Sequence, residues 1–149
     1  MPATEEARNR ETYQRFHDAV NSGDLEVISK AAEEFLHPDA RFHTAEGGAL
    51  PAVQAQKRVW DVLLRAFPDI HVSVEDLIVT EDKIISRQKV TGTHTGEYRG
   101  RPATGRAVAY DEIFIARLSD GRITDLWGVV DLYAQLRQLG FVEEQAPVR

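Results

Sequence analysis

The chain has 149 residues, enough for one domain that buries roughly 70% of the surface its unfolded form exposes. Its composition, 42% hydrophobic and 28% charged without a single cysteine, excludes disordered and fibrous classes, disulfides and thiolate chemistry. The 18 basic and 24 acidic residues give a net charge of −6, the opposite of the balance typical of nucleic-acid-binding proteins.

Neither an apolar leader at the N-terminus nor a run approaching the ~20 apolar residues of a membrane span is visible. We therefore expect one cytoplasmic domain over residues 1–149, with flexible ends at about 1–5 and 142–149. We expect neither nucleic acid nor a membrane as its partner.

The first part of the chain is predicted to form three helices, each with an apolar stripe at helical spacing. They are expected at 5–21, at about 24–36 and from Pro51 to about Ala66. Asp24 is placed to cap the second helix. Pro38 ends that helix, because the residue before a proline disfavours helical conformation. A short strand is expected from Ala40 to Thr44.

After Pro68 the spacing of apolar residues changes from 3.6 to 2, which indicates strands. Four are expected, at about 70–78, 84–95, 107–118 and 122–131. In the first of them, Ile78 is predicted to share one face with Val72 and Val74. Asp120-Gly121 predicts a tight hairpin between the last two strands, and a final helix that ends at Gly140 follows them.

The predicted helices come first and the long antiparallel strands follow, and strands do not alternate with helices. This order indicates an α+β fold. Strands that are neighbours in sequence favour a meander. A strongly twisted sheet with the N-terminal helices over one face would form a cone with an internal pocket.

The charge is distributed unevenly along the chain. The stretch from Lys83 to Arg106 contains six basic residues and one acid, so it carries +5 and the remainder carries −11. Either this is a solvated face of the sheet, or it is a surface that attracts an anionic ligand or partner.

Several segments together resemble one known family. They read AFPD at 66–69, VTGTHTG at 90–96, GRPATG at 100–105 and DGRITDLW at 120–127, and Asp131 and QLG at 138–140 follow. They resemble the SnoaL-like polyketide cyclases, or ester cyclases, over nearly the whole chain. The resemblance implies the NTF2-like cone, a strongly curved antiparallel sheet with helices over its concave face. The same fold carries isomerases, hydratases, epoxide hydrolases and non-catalytic modules, so the site must be argued separately.

The resemblance implies acid/base catalysis without metal or cofactor, and matching the W-x-x-x-D segment assigns the acid/base role to Asp131. Its apolar neighbours, Val130 and Leu132, would desolvate a carboxylate and raise its pKa toward that of a general base. The alternative is that Asp131 only caps the helix that follows it.

Two further residues are candidates for the chemistry. His94 lies on the less charged face of its predicted strand and could donate a proton to a developing enolate, or it could bond only to the adjacent glycine loop. Asp111 and Glu112 are adjacent in a strand, so one of them faces the helices. We take Asp111 as the candidate, with an ion pair to Arg87 or Arg106 as the alternative. Some members of the family have a histidine further along this strand, and this chain has none at those positions.

Aromatic side chains expected in the core, and one histidine at the cavity mouth, are the candidates for substrate binding. They are Trp127, Tyr110, Trp60, Phe16, Phe67 and His43. Trp127 is favoured among them because it precedes Asp131 by four residues. The five histidines offer no close-spaced pair of ligands, and no glycine-rich loop precedes a helix, so we expect no metal and no cofactor.

The leading prediction is a cofactor-independent acid/base enzyme that forms an enolate in a small apolar substrate, polycyclic compounds included, and closes a ring by aldol chemistry. The alternatives are a non-catalytic ligand-binding or dimerisation module and another activity of the same fold: isomerase, hydratase or epoxide hydrolase. The strand predicted at 107–118 is apolar on both faces, and no helix remains to cover the second. We therefore expect a homodimer through the outer face of the sheet.

Overall fold

The computed structural model describes residues 4–44 and 46–143, which form four helices and six strands. The helices are α1 (Glu5–Val20), α2 (Leu25–Phe35), α3 (Ala52–Ala66) and α4 (Leu132–Gln138). The strands are β1 (Leu36–His43), β2 (Ala49–Pro51), β3 (His71–Val79), β4 (Lys83–Thr93), β5 (Ala107–Ser119) and β6 (Arg122–Val130). Most of the two ends expected to be flexible, residues 1–3 and 144–149, lies outside the described residues.

All six strands belong to one sheet in the order β2-β1-β6-β5-β4-β3, and the α+β prediction is confirmed. Strands β3 to β6 form the expected antiparallel meander. Its last hairpin turns at Asp120 and Gly121, whose φ angles of 51° and 75° belong to the left-handed region that such a two-residue turn requires. Strand β1 joins the free edge of β6 in parallel, and the short β2, which the sequence did not predict, extends the sheet beyond β1.

The predicted helices are confirmed within a few residues, and side chains cap the N-termini of α1, α2 and α4. The Oδ1 of Asp24 accepts hydrogen bonds from the N–H groups of Glu26 and Val27 at the start of α2. At the C-terminus of α1, Asn21 both donates to the Val72 carbonyl and accepts from the Val72 N–H, each over 2.9 Å. This pair of hydrogen bonds holds the end of α1 against the edge strand β3.

Strand β1 begins at Leu36, four residues earlier than predicted, and therefore contains Pro38. The pairing of β1 with β6 is irregular between Leu36 and Arg41, so Pro38 lies where no ladder hydrogen bond needs its missing N–H. Proline thus ends the helix without excluding a strand.

The face assigned to Ile78 is wrong. The register of β3 against β4 shifts between Val74 and Asp76, and one extra residue in a strand moves every later side chain to the opposite face. Ile78 is consequently 56% exposed, whereas Val79 is buried. Asp76 points outward and accepts a hydrogen bond from Arg87 Nε at 2.7 Å.

The helices cover one face of the sheet, here called the inner face. Alternate residues of β4 and β5 face the helices, from Ile84 to Val90 and from Val108 to Leu118, and all of them are buried except the partly buried Glu112 and Phe114. The largest buried cluster brings Trp60 of α3 and Phe67 against Val90 and Tyr110 of the sheet. At roughly 25 cal/mol per Å² of apolar surface, such burial is the main term that holds the helices on the sheet.

Candidate active site

The inner face is apolar near both ends of β4 and β5 and polar in the middle. Ser86 and Gln88 of β4 lie there, and Gln88 is paired in register with Glu112 of β5. Gln88 Nε2 donates to Ser86 Oγ at 2.9 Å and to the hydroxyl oxygen of Tyr13, which α1 brings over the sheet, at 2.7 Å. Burial raises the pKa of the Tyr13 phenol, so the phenol stays neutral at physiological pH.

Glu112 is the carboxyl group of this polar region. Its register partners are Gln88 on one side and Val130 on the other, and Tyr110 and Phe114 flank it on the same face of β5. Within the described residues its side chain makes neither a hydrogen bond nor an ion pair. Burial raises the pKa of Glu112 to about 7, because desolvation penalises the ionised form.

The polar region is open to solvent on its β6 side. Glu112, Phe114 and Gly128 are only partly buried, although all three belong to the inner face. Gly128 is required there, because a Cβ at this position would lie 2.3 Å from Cε1 of the Phe114 ring. Val130, the residue before Asp131, is 39% exposed, so this edge of the inner face is not fully covered by the helices.

A second polar contact, between Tyr98 and Gln135, lies where α4 packs on the inner face. The Tyr98 hydroxyl donates to Oε1 of the buried Gln135 at 3.0 Å. Tyr110 belongs to the same neighbourhood, and burial, reinforced by the nearby Glu112 charge, raises its pKa. Tyr110 therefore remains a neutral phenol beside Glu112 at physiological pH.

Of the residues predicted to carry chemistry, Asp131 lies immediately after β6 and its side chain is exposed. Its Oδ1 accepts a hydrogen bond from the Ala134 N–H at 3.0 Å, which caps α4. Its own N–H donates to the carbonyl of Asp111 at 2.9 Å. The geometry shows the capping contact; the catalytic role of Asp131 stays a prediction.

His94 is fully buried at the end of β4, away from Glu112 along the strand. Its Nδ1 accepts from the Thr104 N–H at 3.1 Å, a bond to the glycine loop that follows β4. In the neutral ring the proton therefore lies on Nε2, which is buried without a hydrogen-bond partner in the described part of the chain. The rings of Phe67 and Phe141 pack against it at 5.5 and 5.7 Å, so the contacts favour a structural histidine.

The structure corrects the expected position of Asp111. It lies on the outer face of β5, is 58% exposed, and pairs with Lys89 of β4 at 2.9 Å rather than with either arginine considered above. Its neighbour Glu112 faces the helices instead. A signal for this was present in the sequence: Glu112 alternates with the bulky Tyr110 and Phe114, whereas Asp111 alternates with Ala109 and Ile113. The larger apolar set marks the row under the helices.

The expected positions of Trp127 and His43 are also corrected. Trp127 pairs with Ile115 on the outer face of the sheet, and the His43 ring stacks on it with centroids 4.6 Å apart. His43 Nε2 lies 2.9 Å from Asp125 Oδ1, and the Arg117 guanidinium lies over the Trp127 ring. The spacing of four residues assumed a strand that continues to Asp131, but β6 ends at Val130, so it does not place Trp127 on the face of Asp131.

The other aromatic candidates lie in or against the inner core. Trp60, Phe67 and Tyr110 are buried in the largest cluster, and Phe16 packs partly buried against it. Tyr110 is the one that shares its face and strand with Glu112. Two surface depressions along the solvent side of α1 contain neither these aromatic residues nor Glu112. The polar cluster around Glu112 makes the inner face the candidate site.

Among residues 4–44 and 46–143, no group of three or more histidine, aspartate or glutamate side chains is placed to hold a metal ion. None of the helices described above is long and apolar enough to cross a bilayer.

Comparison with known proteins supports a common origin with cyclases. Two relatives are aklanonic acid methyl ester cyclases, DnrD of Streptomyces peucetius and DauD of Streptomyces sp. strain C5. Each is 31% identical over 129 residues, which make up 85% of this chain, 86% of DnrD and 78% of DauD.

Solved structures share the same fold. AclR of Streptomyces galilaeus, a proposed hydroxylase, has a TM-score of 0.82 at 26% identity, over 95% of this chain and 86% of AclR. IdmH of Streptomyces antibioticus, a proposed polyketide cyclase, has a TM-score of 0.74 at 33% identity, over 89% of this chain and 98% of IdmH. The family profile described as SnoaL-like polyketide cyclase matches residues 10–139. The resemblance inferred from the motifs is thus confirmed, and the chain belongs to the SnoaL-like polyketide cyclase family.

Proposed function

We propose that the protein is a cytoplasmic, cofactor-independent cyclase that closes a ring in a small, apolar, ester-bearing carbonyl compound by acid/base catalysis. The reaction is an intramolecular aldol addition: a base removes a proton from a carbon next to a carbonyl, and the resulting enolate attacks a second carbonyl of the same molecule. The two related aklanonic acid methyl ester cyclases make a polycyclic methyl ester the first substrate to test.

The observation that carries this proposal is the polar region in the middle of the apolar inner face. Glu112, Gln88 and Tyr13 supply a carboxyl, an amide and a neutral phenol within a largely apolar lining that is open beside β6. An apolar recess with a few convergent polar groups is the usual form of a small-molecule site. Proton transfer and hydrogen bonding to an enolate are the chemistry that such groups supply.

Asp131 is the proposed proton acceptor, because it occupies the position that the W-x-x-x-D segment assigns to the acid/base residue. Only its Oδ1 is used by the cap of α4, so Oδ2 has no hydrogen bond within the described chain. The end of β6 places it one residue beyond Val130, the register partner of Glu112.

The direct test is turnover of aklanonic acid methyl ester, with the product separated by chromatography and identified as an isomer of unchanged mass. Asp131→Asn keeps a side chain that caps helices but removes the base, so turnover should nearly vanish while the fold is retained. Asp111→Asn is the matched control on the outer face. Unchanged turnover in Asp131→Asn would exclude the base assignment, and an inactive wild-type protein would contradict the proposed activity on this ester.

The second candidate function is a non-catalytic ligand-binding module. The hydrogen bond from the Ala134 N–H to Asp131 and the exposure of that carboxylate favour it, since a cap needs no chemistry. This alternative predicts that an aromatic ester is bound and recovered unchanged, with equal affinity in the wild type and in Asp131→Asn.

We further propose that the protein forms a homodimer through the outer face of the sheet. Val129 is 74% exposed and Ile113 is 47% exposed, and the two are register partners in the middle of that face. Exposed apolar side chains that are contiguous on one face are typical of a protein interface. Sedimentation at micromolar concentration should give twice the 16.8 kDa of one chain, and a monomer would refute the proposal.

A further inference from the structure

We propose that Glu112 is the catalytic acid of this site: it donates its proton to the substrate oxygen on which negative charge develops, while Asp131 accepts the carbon-bound proton. This inference rests on the proposed function, because it assigns a role within the same ring closure. It concerns a residue that neither the motifs nor their spacing single out.

The position of Glu112 is the first argument. It is the only carboxyl-bearing residue in the inward row of β4 or β5, and that row is otherwise apolar apart from Ser86, Gln88, Tyr110 and the structural His94. Its side chain is only partly buried, and its register partner Val130 is 39% exposed, so a ligand on this part of the inner face can reach the carboxyl.

The lack of a partner is the second argument. Burying a carboxyl without a hydrogen bond or a counter-ion destabilises the folded chain when the group is ionised, and such groups are typical of functional sites. The basic residues nearest in register are Arg87 and Lys89, on either side of Gln88; both face outward, where they pair with Asp76 and Asp111. Because the Glu112 carboxyl makes no hydrogen bond or ion pair with the described part of the chain, it is available to interact with a ligand.

The protonation state is the third argument. The titratable groups close enough to feel a charge on Glu112 are Tyr13 of α1 and Tyr110 of its own strand, both neutral phenols, and burial alone shifts the pKa of Glu112. The pKa of Glu112 lies at about 7, so near neutral pH a large fraction carries the proton that an acid must donate. Tyr13, held by Gln88, is placed to orient the same substrate oxygen.

The proton balance of the step closes without any co-reactant. Asp131 removes a proton from the carbon next to the carbonyl, and the enolate forms the new carbon–carbon bond to the second carbonyl carbon. The oxygen of that carbonyl takes the electron pair and receives the proton of Glu112. Return of the proton from Asp131 to Glu112 through solvent restores both groups, and the product is an isomer of the substrate.

The experiment compares kcat and kcat/KM against pH for the wild type, Glu112→Gln and the control Asp111→Asn, with aklanonic acid methyl ester as substrate. Glutamine preserves the size and hydrogen bonding of the side chain but cannot release a proton. We expect kcat to fall roughly 100-fold or more in Glu112→Gln. The wild-type rate should decline above about pH 7, where Glu112 loses its proton, and this decline should be absent in the variant. Asp111→Asn should stay within about twofold of the wild type.

Three results would overturn the assignment. A Glu112→Gln enzyme with wild-type kcat and the same decline at high pH would refute the acid role while leaving the proposed function intact. A wild-type profile without that decline would do the same, even if the variant failed to fold. Absence of turnover in the wild type would instead refute the proposed function, and the role of Glu112 with it.

Discussion

Replacing Glu112 with glutamine should change how the stability of the fold depends on pH, independently of any substrate. Below about pH 4.5 the carboxyl is protonated in both the folded and the unfolded chain, so its burial makes no pH-dependent contribution. Between about pH 4.5 and about 7 it ionises in the unfolded chain only, because its pKa in the folded protein is raised to about 7. The folded state is therefore progressively destabilised as the pH rises through this window.

The size of the effect follows from the two pKa values. An ordinary pKa of 4.5 for the unfolded chain and a pKa of about 7 for the folded protein correspond to about 3 kcal/mol of stability that is present at low pH and lost above neutrality. Because the carboxyl is only partly buried, solvent reduces this to about 2 kcal/mol. Glutamine carries no charge at any pH, so Glu112→Gln should be about 2 kcal/mol more stable than the wild type at about pH 8 and similar to it at about pH 4.5.

Urea unfolding followed by circular dichroism, at about pH 4.5, 6 and 8, measures the difference between the two proteins directly. Asp111→Asn serves as the control for the removal of an exposed carboxylate from the same strand. If the unfolding free energies of the wild type and Glu112→Gln run parallel across this range, the carboxyl is not desolvated and the reasoning from its burial is refuted.

Three further changes test other parts of the structure. Asp131→Ala should destabilise the protein by about 1 kcal/mol through loss of the α4 cap, whereas Asp131→Asn should not, as thermal unfolding will show. Gly96→Ala should destabilise the protein by about 3 kcal/mol or prevent folding, because the added Cβ would lie 1.9 Å from a backbone carbonyl oxygen at the end of α3. In the control Gly100→Ala the added Cβ meets no neighbour, so the positive φ of this residue should cost only about 1 kcal/mol. Urea unfolding measures both values. Asn21→Ala should cost about 2 kcal/mol and speed hydrogen exchange of the Val72 amide, because it removes both bonds between α1 and β3.

The order and type of the long elements could be predicted because local chemistry decides them. The cap at Asp24, the Asp120-Gly121 turn and the two-residue alternation in β4 each act within a few residues of sequence. A strand too short to show an alternation of apolar and polar residues could not be found in this way. Strand β2 contains only Ala49–Pro51 and exists because β1 lies beside it.

The site was harder to predict because it depends on which face of each strand the helices cover. Alternation correctly separates Asp111 from Glu112, but the only local signal for the choice between them is the larger size of Tyr110 and Phe114, which share the face of Glu112. The same limitation applies to Trp127, which lies on the outer face. In β3, a single extra residue between Val74 and Asp76 reverses the faces, and no feature of the local sequence announces it.

The parallel pairing of β1 with β6 has a consequence for how the protein is made. Phe42 pairs with Leu126, so the first long strand to leave the ribosome must wait for the last one. The meander of β3 to β6 can assemble from neighbouring hairpins, whereas the closure of β1 onto β6 spans most of the chain and is slow for that reason. A nascent or truncated chain that lacks β6 leaves one edge of β5 and one edge of β1 without a partner, and unpaired strand edges are templates for aggregation. Efficient production of this protein therefore depends on the emergence of residues 122–130 more than on that of any other strand.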